Sequence, residues 1–261
     1  FAFQIVFVQI VSRYPSFIEK YYSNGIYIYT SKLLRFLFGW IPFSFGDLII
    51  GCLLFVVIRF IYRLIKDRFK NLKSKILQAI AFFSILYSCF YWFWGFNYFR
   101  EPLANNLGFN QTKYTTEELV TVSKNIIKKL NKTQLYITKN DTVKVENPYS
   151  QKEMYQKALS GYANIAASYP QFAYHSKSIK SSLMSLLQSY NGTSGYFNPF
   201  TGEAQVNDRI PKTGTPTTVC HEMAHQLGIA AENEANFVGY LAALSNDDIY
   251  FKYAAYRMAF S

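Results

Sequence analysis

Between Ile76 and Phe99 the chain runs for 24 residues without a charged side chain, and this run limits the fold more than any other feature. A hydrocarbon layer about 30 Å thick is crossed by about 20 apolar helical residues, so the run is long enough to span a bilayer. A second apolar run, from about Gly46 to Ile65, contains Arg59 and Arg63 near one end only, where long side chains reach back to the headgroups. Phe1–Ser12 is also uncharged, too short to cross alone, and reads as the tail of a helix that starts upstream. A cleavable signal peptide fits less well, because neither a basic segment nor a small-residue cleavage site accompanies it. The sequence therefore predicts spans at about 1–12 (truncated), 46–65 and 76–98. They form a transmembrane anchor over residues 1–99, followed by a second domain over residues 100–261.

The net charge of +11 invites a nucleic-acid reading until it is located. Residues 1–96 carry 11 Lys/Arg against 3 Asp/Glu, whereas residues 97–261 carry 16 against 13. The excess is concentrated in the loop after the second span, with Arg63, Lys66, Arg68, Lys70, Lys73 and Lys75, which marks that loop as cytoplasmic. The third span then leaves the cytoplasm at Tyr91, Trp92, Trp94 and Tyr98, an aromatic belt, and everything after Asn97 is extracytoplasmic. The expected partner is a lipid bilayer, and no nucleic acid. Cys52 and Cys89 fall in predicted spans and Cys220 stands alone, so no disulfide framework supports the outer domain.

Helices carry most of residues 100–261. Thr115 with Glu118 makes a capping-box pattern that opens a helix to about Leu130, and Ser150 with Glu153 opens another to about Ser168. A third is expected over about Ser176–Tyr190, stopping at Asn191–Gly192. Gly195–Asn207 reads as a hairpin, with Ala204–Gln205–Val206 extended after a Thr201–Gly202 turn. Thr215–Pro216 starts a further helix that stops at Gly228. Near the membrane, Ser31–Phe45 reads as an amphipathic stretch lying along the outer surface. The fold class expected is a mainly α membrane protein, its helical outer domain carrying a small β-hairpin.

That last helix contains His221-Glu222-Met223-Ala224-His225, an H-E-x-x-H motif. Two histidines four apart lie on nearly one face, so both imidazoles reach the same cation. Neutral nitrogens suit Zn²⁺, whose catalytic sites keep three protein ligands and a water. Zinc supplies a water with a pKa of about 7, and Glu222, beside the pair, is placed to accept its proton and pass it to a leaving amine. A continuing helix carries later residues out of reach, so the third ligand must follow the turn at Gly228. Glu232 and Glu234 diverge by about 200° on the next helix, and one of them faces the metal. Glu232 shares its face with Ala235, Asn236, Gly239 and Ala243, small or polar residues that let helices approach, and is the ligand expected. Asn236 is then placed to hydrogen-bond a ligating histidine. Adjacent helical residues point about 100° apart, so Cys220 reads as a buried, inert thiol. His175 reads as structural or surface, Glu203 and Asp208 as solvated, and Tyr250, Tyr253 and Tyr256 as packing residues.

These motifs resemble the gluzincin metallopeptidases, with H-E-x-x-H on one helix and E-x-x-A-[DN] on the next. His221–His225 and Glu232–Asn236 match in order, with a shorter separation than is usual there. YYSNGIY (21–27), GWIPFSFGD (39–47), WGFNYFREPL (94–103), PFTGEAQVN (199–207) and HEMAHQLGIAAENEAN (221–236) are similar to a bacterial family of three-span membrane proteins. That family is classed as a domain of unknown function with a predicted zinc-peptidase site. The resemblance implies a zincin-like domain on the outer side of the bacterial cytoplasmic membrane, a zinc cofactor and a protein or peptide substrate. By analogy with gluzincins, Ala204, Gln205, Val206 and Asn207 form an edge strand that binds substrate backbone. Two other functions use the same residues: a membrane scaffold or sensor with a structural zinc site, and a zinc amidase acting on the cell wall.

Overall fold

The computed structural model describes residues 1–109 and 113–260. The chain is mainly helical. Near its N-terminus stand α1 (Ala2–Val11), a π-helical stretch at Ile18–Ile26 and α2 (Tyr27–Gly39). Next come α3 (Phe45–Lys66) and α4 (Leu72–Phe93), the two helices among the described residues that are long and apolar enough to cross a membrane. Ser44 caps α3 by accepting the Asp47 N–H at 3.1 Å, and Arg63 and Lys66 sit in its last turn. The hairpin between these helices uses left-handed backbone at Arg68, Phe69 and Asn71. Helix α1 lies against α4, with Gln4 bonded to both Ser84 and Ser88 at 2.7 Å.

The predicted span at 76–98 runs past the helix. Helix α4 stops at Phe93, and Gly95–Phe99 form a short 3₁₀ turn in which Phe96 and Asn97, like Trp94 before them, are buried in protein. An uncharged run does not distinguish lipid-facing from core-facing aromatics. The amphipathic stretch begins earlier than Ser31. Helix α2 buries Tyr27, Ser31, Leu34 and Arg35 and exposes Tyr29, Leu33, Phe36 and Leu37.

Both capping boxes form. The helix behind the first, α5 (Thr116–Thr138), runs well past Leu130, because no residue at 131–138 breaks it and Lys139 supplies the left-handed stop. The second is α6 (Gln151–Ala166). The helix expected over Ser176–Tyr190 is replaced by strand β1 (Ile179–Ser181) and a shorter helix, α7 (Ser185–Asn191). Strands β2 (Gly195–Asn198) and β3 (Glu203–Val206) make the expected hairpin. β1 adds parallel to the far side of β3, giving the order β1-β3-β2. This central place corrects the edge reading of Ala204–Asn207, since β3 has a partner on each side and all four residues are buried.

Helices α8 (Thr215–Gln226), α9 (Glu232–Leu244) and α10 (Ile249–Phe260) complete the chain. Their apolar faces share one core with α6 and β3 through Tyr162, Val206, Val219, Met223, Val238 and Phe251. A smaller cluster of Val8, Ile18, Tyr22, Tyr27, Trp94 and Phe96 reaches Ala230 in the turn after α8. The segments before residue 100 therefore pack directly under the metal-motif helix.

Candidate metal centre

Helix α8 begins one residue earlier than its Thr-Pro signature suggests. Gly214 stands at the cap, with Thr215 and Pro216 in the first turn. The helix ends at Gln226, and Gly228 turns the chain back in left-handed backbone at φ 83°. A Cβ at Gly228 would lie 2.8 Å from the Tyr27 ring and 3.0 Å from Asn97 Oδ1, so space as well as conformation requires glycine. This turn returns α9 alongside α8. At Gly239 the helices meet so closely that a Cβ would stand 2.8 Å from the His221 backbone nitrogen.

His221, His225 and Glu232 converge, and one ligand atom from each lies within 4.8 Å of the others. The two imidazole Nε2 atoms are 3.0 Å apart. The Glu232 carboxylate lies 3.2 Å from Nε2 of His221 and 3.5 Å from that of His225. A tetrahedral ion with bonds of about 2.0–2.1 Å separates its donors by about 3.3 Å, so the spacing suits a small divalent ion. Two imidazoles and a carboxylate are the donor set of many catalytic zinc sites. Glu234 is engaged elsewhere, accepting the Leu103 N–H at 2.7 Å, which leaves Glu232 as the acidic member.

The imidazoles are held in ligating form. His225 Nδ1 lies 2.7 Å from the Ile229 carbonyl; donating there leaves its Nε2 lone pair free. Asn236 hydrogen-bonds the His221 side chain. Burial, reinforced by the neighbouring His225, lowers the His221 pKa to about 4, and burial likewise lowers that of His225. Both rings are therefore neutral near pH 7.

Glu222 projects beside the pair. It is 3 % exposed, and its Oε2 has no hydrogen-bond partner among the described residues. Burial, with a smaller contribution from the Glu232 charge, pushes its carboxyl well above the usual carboxylate range. Gly195, at the start of β2, lies against it, and a Cβ there would come within 2.7 Å of Glu222 Oε1. Among the described residues β2 pairs only with β3, so its other edge is unpaired there. The motif borders a cleft of about 430 Å³ whose lining includes Gly195, Thr218, His221, Glu222, Glu232 and Arg257.

The remaining residues singled out from the sequence lie elsewhere. Cys220 is buried, and its carbonyl accepts the Tyr162 hydroxyl at 2.5 Å; burial raises its thiol pKa. His175 is exposed and outside the cluster. Asp208 is exposed. Glu203, expected to be solvated, is fully buried and paired with Lys180. Tyr250, Tyr253 and Tyr256 are half-buried.

Sequence reasoning missed the support beneath α8. The Trp94 indole N–H donates to the His225 carbonyl at 3.0 Å, and Tyr27 and Ser31 donate to that of Gln226 at 3.0 and 2.8 Å. Arg100 reaches the Gly228 carbonyl at 3.0 Å while paired with Glu19 at 2.7 Å. These donors satisfy carbonyls that the end of a helix leaves open. It also missed Arg257, an exposed cation on the cleft wall, whose place no local pattern signals.

A family described as protein of unknown function (DUF3810) matches residues 22–261. The chain belongs to this family. No curated protein and no solved structure matches it. The DUF3810 match takes in both long apolar helices, the hairpin and the whole His221–His225–Glu232 cluster.

Proposed function

We propose that this chain is a membrane-anchored zinc metallopeptidase with a gluzincin-like site, hydrolysing peptide bonds on the outer side of a bacterial cytoplasmic membrane. The observation that carries this reading is Glu222. A buried carboxylate with an unpartnered oxygen, beside three donors spaced for one ion, is costly to a purely structural site and useful to a catalytic one. His221, His225 and Glu232 hold the metal, with Asn236 and the Ile229 carbonyl orienting the imidazoles. Zinc in such a site acts as a Lewis acid and makes water a nucleophile near neutral pH. Glu222 accepts the proton released and returns it to the leaving amine, and its raised affinity for protons suits both steps. The unpaired edge of β2 offers backbone donors and acceptors to an extended substrate chain. The basic hairpin at residues 67–75 sets the orientation, since such loops stay cytoplasmic.

The test is Glu222→Gln in purified, zinc-loaded protein, assayed on a fluorogenic peptide library. The variant is expected to keep its zinc and lose cleavage by about 10²–10⁴-fold. Cleavage at the parent rate with zinc still bound would remove Glu222 from the mechanism.

A further inference from the structure

The hairpin that borders the cleft is fastened to the ends of both long apolar helices. Tyr196 of β2 bonds through its hydroxyl to Asp47, the third residue of α3. The next residue, Phe197, packs its ring 5.1 Å from that of Trp94, which directly follows α4. Glu203, the first residue of β3, accepts the Phe45 and Gly46 N–H groups at 3.2 and 2.5 Å, where a helix start favours a carboxylate. At the hairpin turn, Phe200 lines an apolar groove with Phe1, Ile80, Phe83 and Phe90 along the flank of α4. Leu183, Leu186, Leu187 and Tyr190 form an exposed apolar stripe on and just before α7. The Leu183 N–H donates to Asp47 at 2.7 Å, so the stripe starts level with the first turn of α3. Two independent apolar features thus continue the surface of the membrane helices beside the cleft.

The candidate centre is at the same level. The Trp94 ring lies 5.9 Å from that of His225, so an ion held there would sit within about 10 Å of the indole that directly follows α4. An extended chain covers that distance in about three residues. A peptide paired along the free edge of β2 therefore runs close to the headgroups. From this geometry, and resting on the peptidase reading above, we infer that the substrate is a polypeptide tethered in the same bilayer. It is cut within about three to six residues of its own span. The unpaired strand edge selects a polypeptide over a lipid-linked sugar, because it presents backbone partners in strand register.

The test uses the full zinc-loaded chain in vesicles of phosphatidylethanolamine and phosphatidylglycerol. Three probes carry the same random segment of about ten residues: joined directly to a transmembrane helix, joined through a flexible linker of about 30 residues, or untethered. The linker extends about 30 Å while keeping the probe concentrated at the surface, so local concentration alone does not separate the two tethered probes. Mass spectrometry of the products should show cuts within six residues of the span, at least about tenfold faster than in either other probe. Equal cutting of the long-linker or untethered probe overturns the inference and leaves the peptidase reading intact. Cleavage confined to a lipid-linked muropeptide added to the same vesicles also overturns it, in favour of a cell-wall amide. Failure to cut any substrate with zinc bound removes the peptidase reading and this inference with it.

Discussion

Gly239→Ala isolates the contact that brings Glu232 to the two imidazoles. The added Cβ would stand 2.8 Å from the His221 nitrogen and 3.0 Å from its Cα, where ordinary contact starts at about 3.4 Å. Both obstructing atoms are helix backbone and cannot swing aside, so α9 must move away from α8 by about 0.6 Å. Glu232 lies seven residues, about 10 Å, earlier on the same helix and moves with it. Its oxygens, now 3.2 and 3.5 Å from the two Nε2 atoms, then leave a shell that tolerates about 0.2 Å. Zinc affinity should fall about 10–100-fold, the usual cost of misplacing support around a metal, and the metal-free fold should lose about 1–3 kcal/mol to overpacking. A competition titration with a chromophoric chelator measures the first. Thermal unfolding followed by thiol labelling of buried Cys220, with Cys52 and Cys89 changed to Ser, measures the second. A folded Gly239→Ala protein that binds zinc as tightly as the parent would show that this close approach does not position Glu232.

Trp94→Phe keeps the aromatic packing but removes the donor to the His225 carbonyl, so unfolding stability should drop by about 1 kcal/mol; an unchanged melting temperature would contradict the role given to the indole. Lys180→Met leaves buried Glu203 without its cation and should cost about 3–5 kcal/mol, most of it restored in a Lys180→Met/Glu203→Gln double variant. A double variant no more stable than Lys180→Met alone would refute that account. Because His221 is held at about 4, protons should not compete with zinc until well below pH 6.5, and affinity titrated from pH 8 downward should stay flat through the range where free imidazole is lost. The same lowered value makes the unfolded chain bind the proton first. Stability of the metal-free Glu222→Gln protein, which lacks the opposing Glu222 titration, is therefore full above about pH 6.5 and declines as pH falls toward 4; rising stability over that interval would reverse the sign.

The local parts of the site were legible because each obeys a short-range rule. His221 and His225 share a face through helical periodicity, Gly228 marks the stop, and the small residues of α9 mark the side that approaches α8. Both capping boxes and the β2–β3 hairpin were visible for the same reason. What escaped is set by distant partners. Residues 179–181 become a strand only because β3 offers a parallel neighbour, and that pairing converts the expected edge into the centre of the sheet. Glu203 reads as solvated until the start of α3 and Lys180 arrive to bury it. Trp94 reads as an interfacial anchor by composition, yet its indole caps the metal-motif helix. In each case hydropathy reports that a side chain leaves water, but not which surface receives it.

One ion shared by two imidazoles and the Glu232 carboxylate underlies the proposed chemistry. X-ray absorption at the zinc edge, on purified chain loaded with a single equivalent, reads that shell directly. The prediction is two imidazoles and oxygen donors at about 2.0–2.1 Å, with bound zinc lost in His225→Ala. A sulfur neighbour at about 2.3 Å, or zinc retained unchanged in His225→Ala, would contradict it.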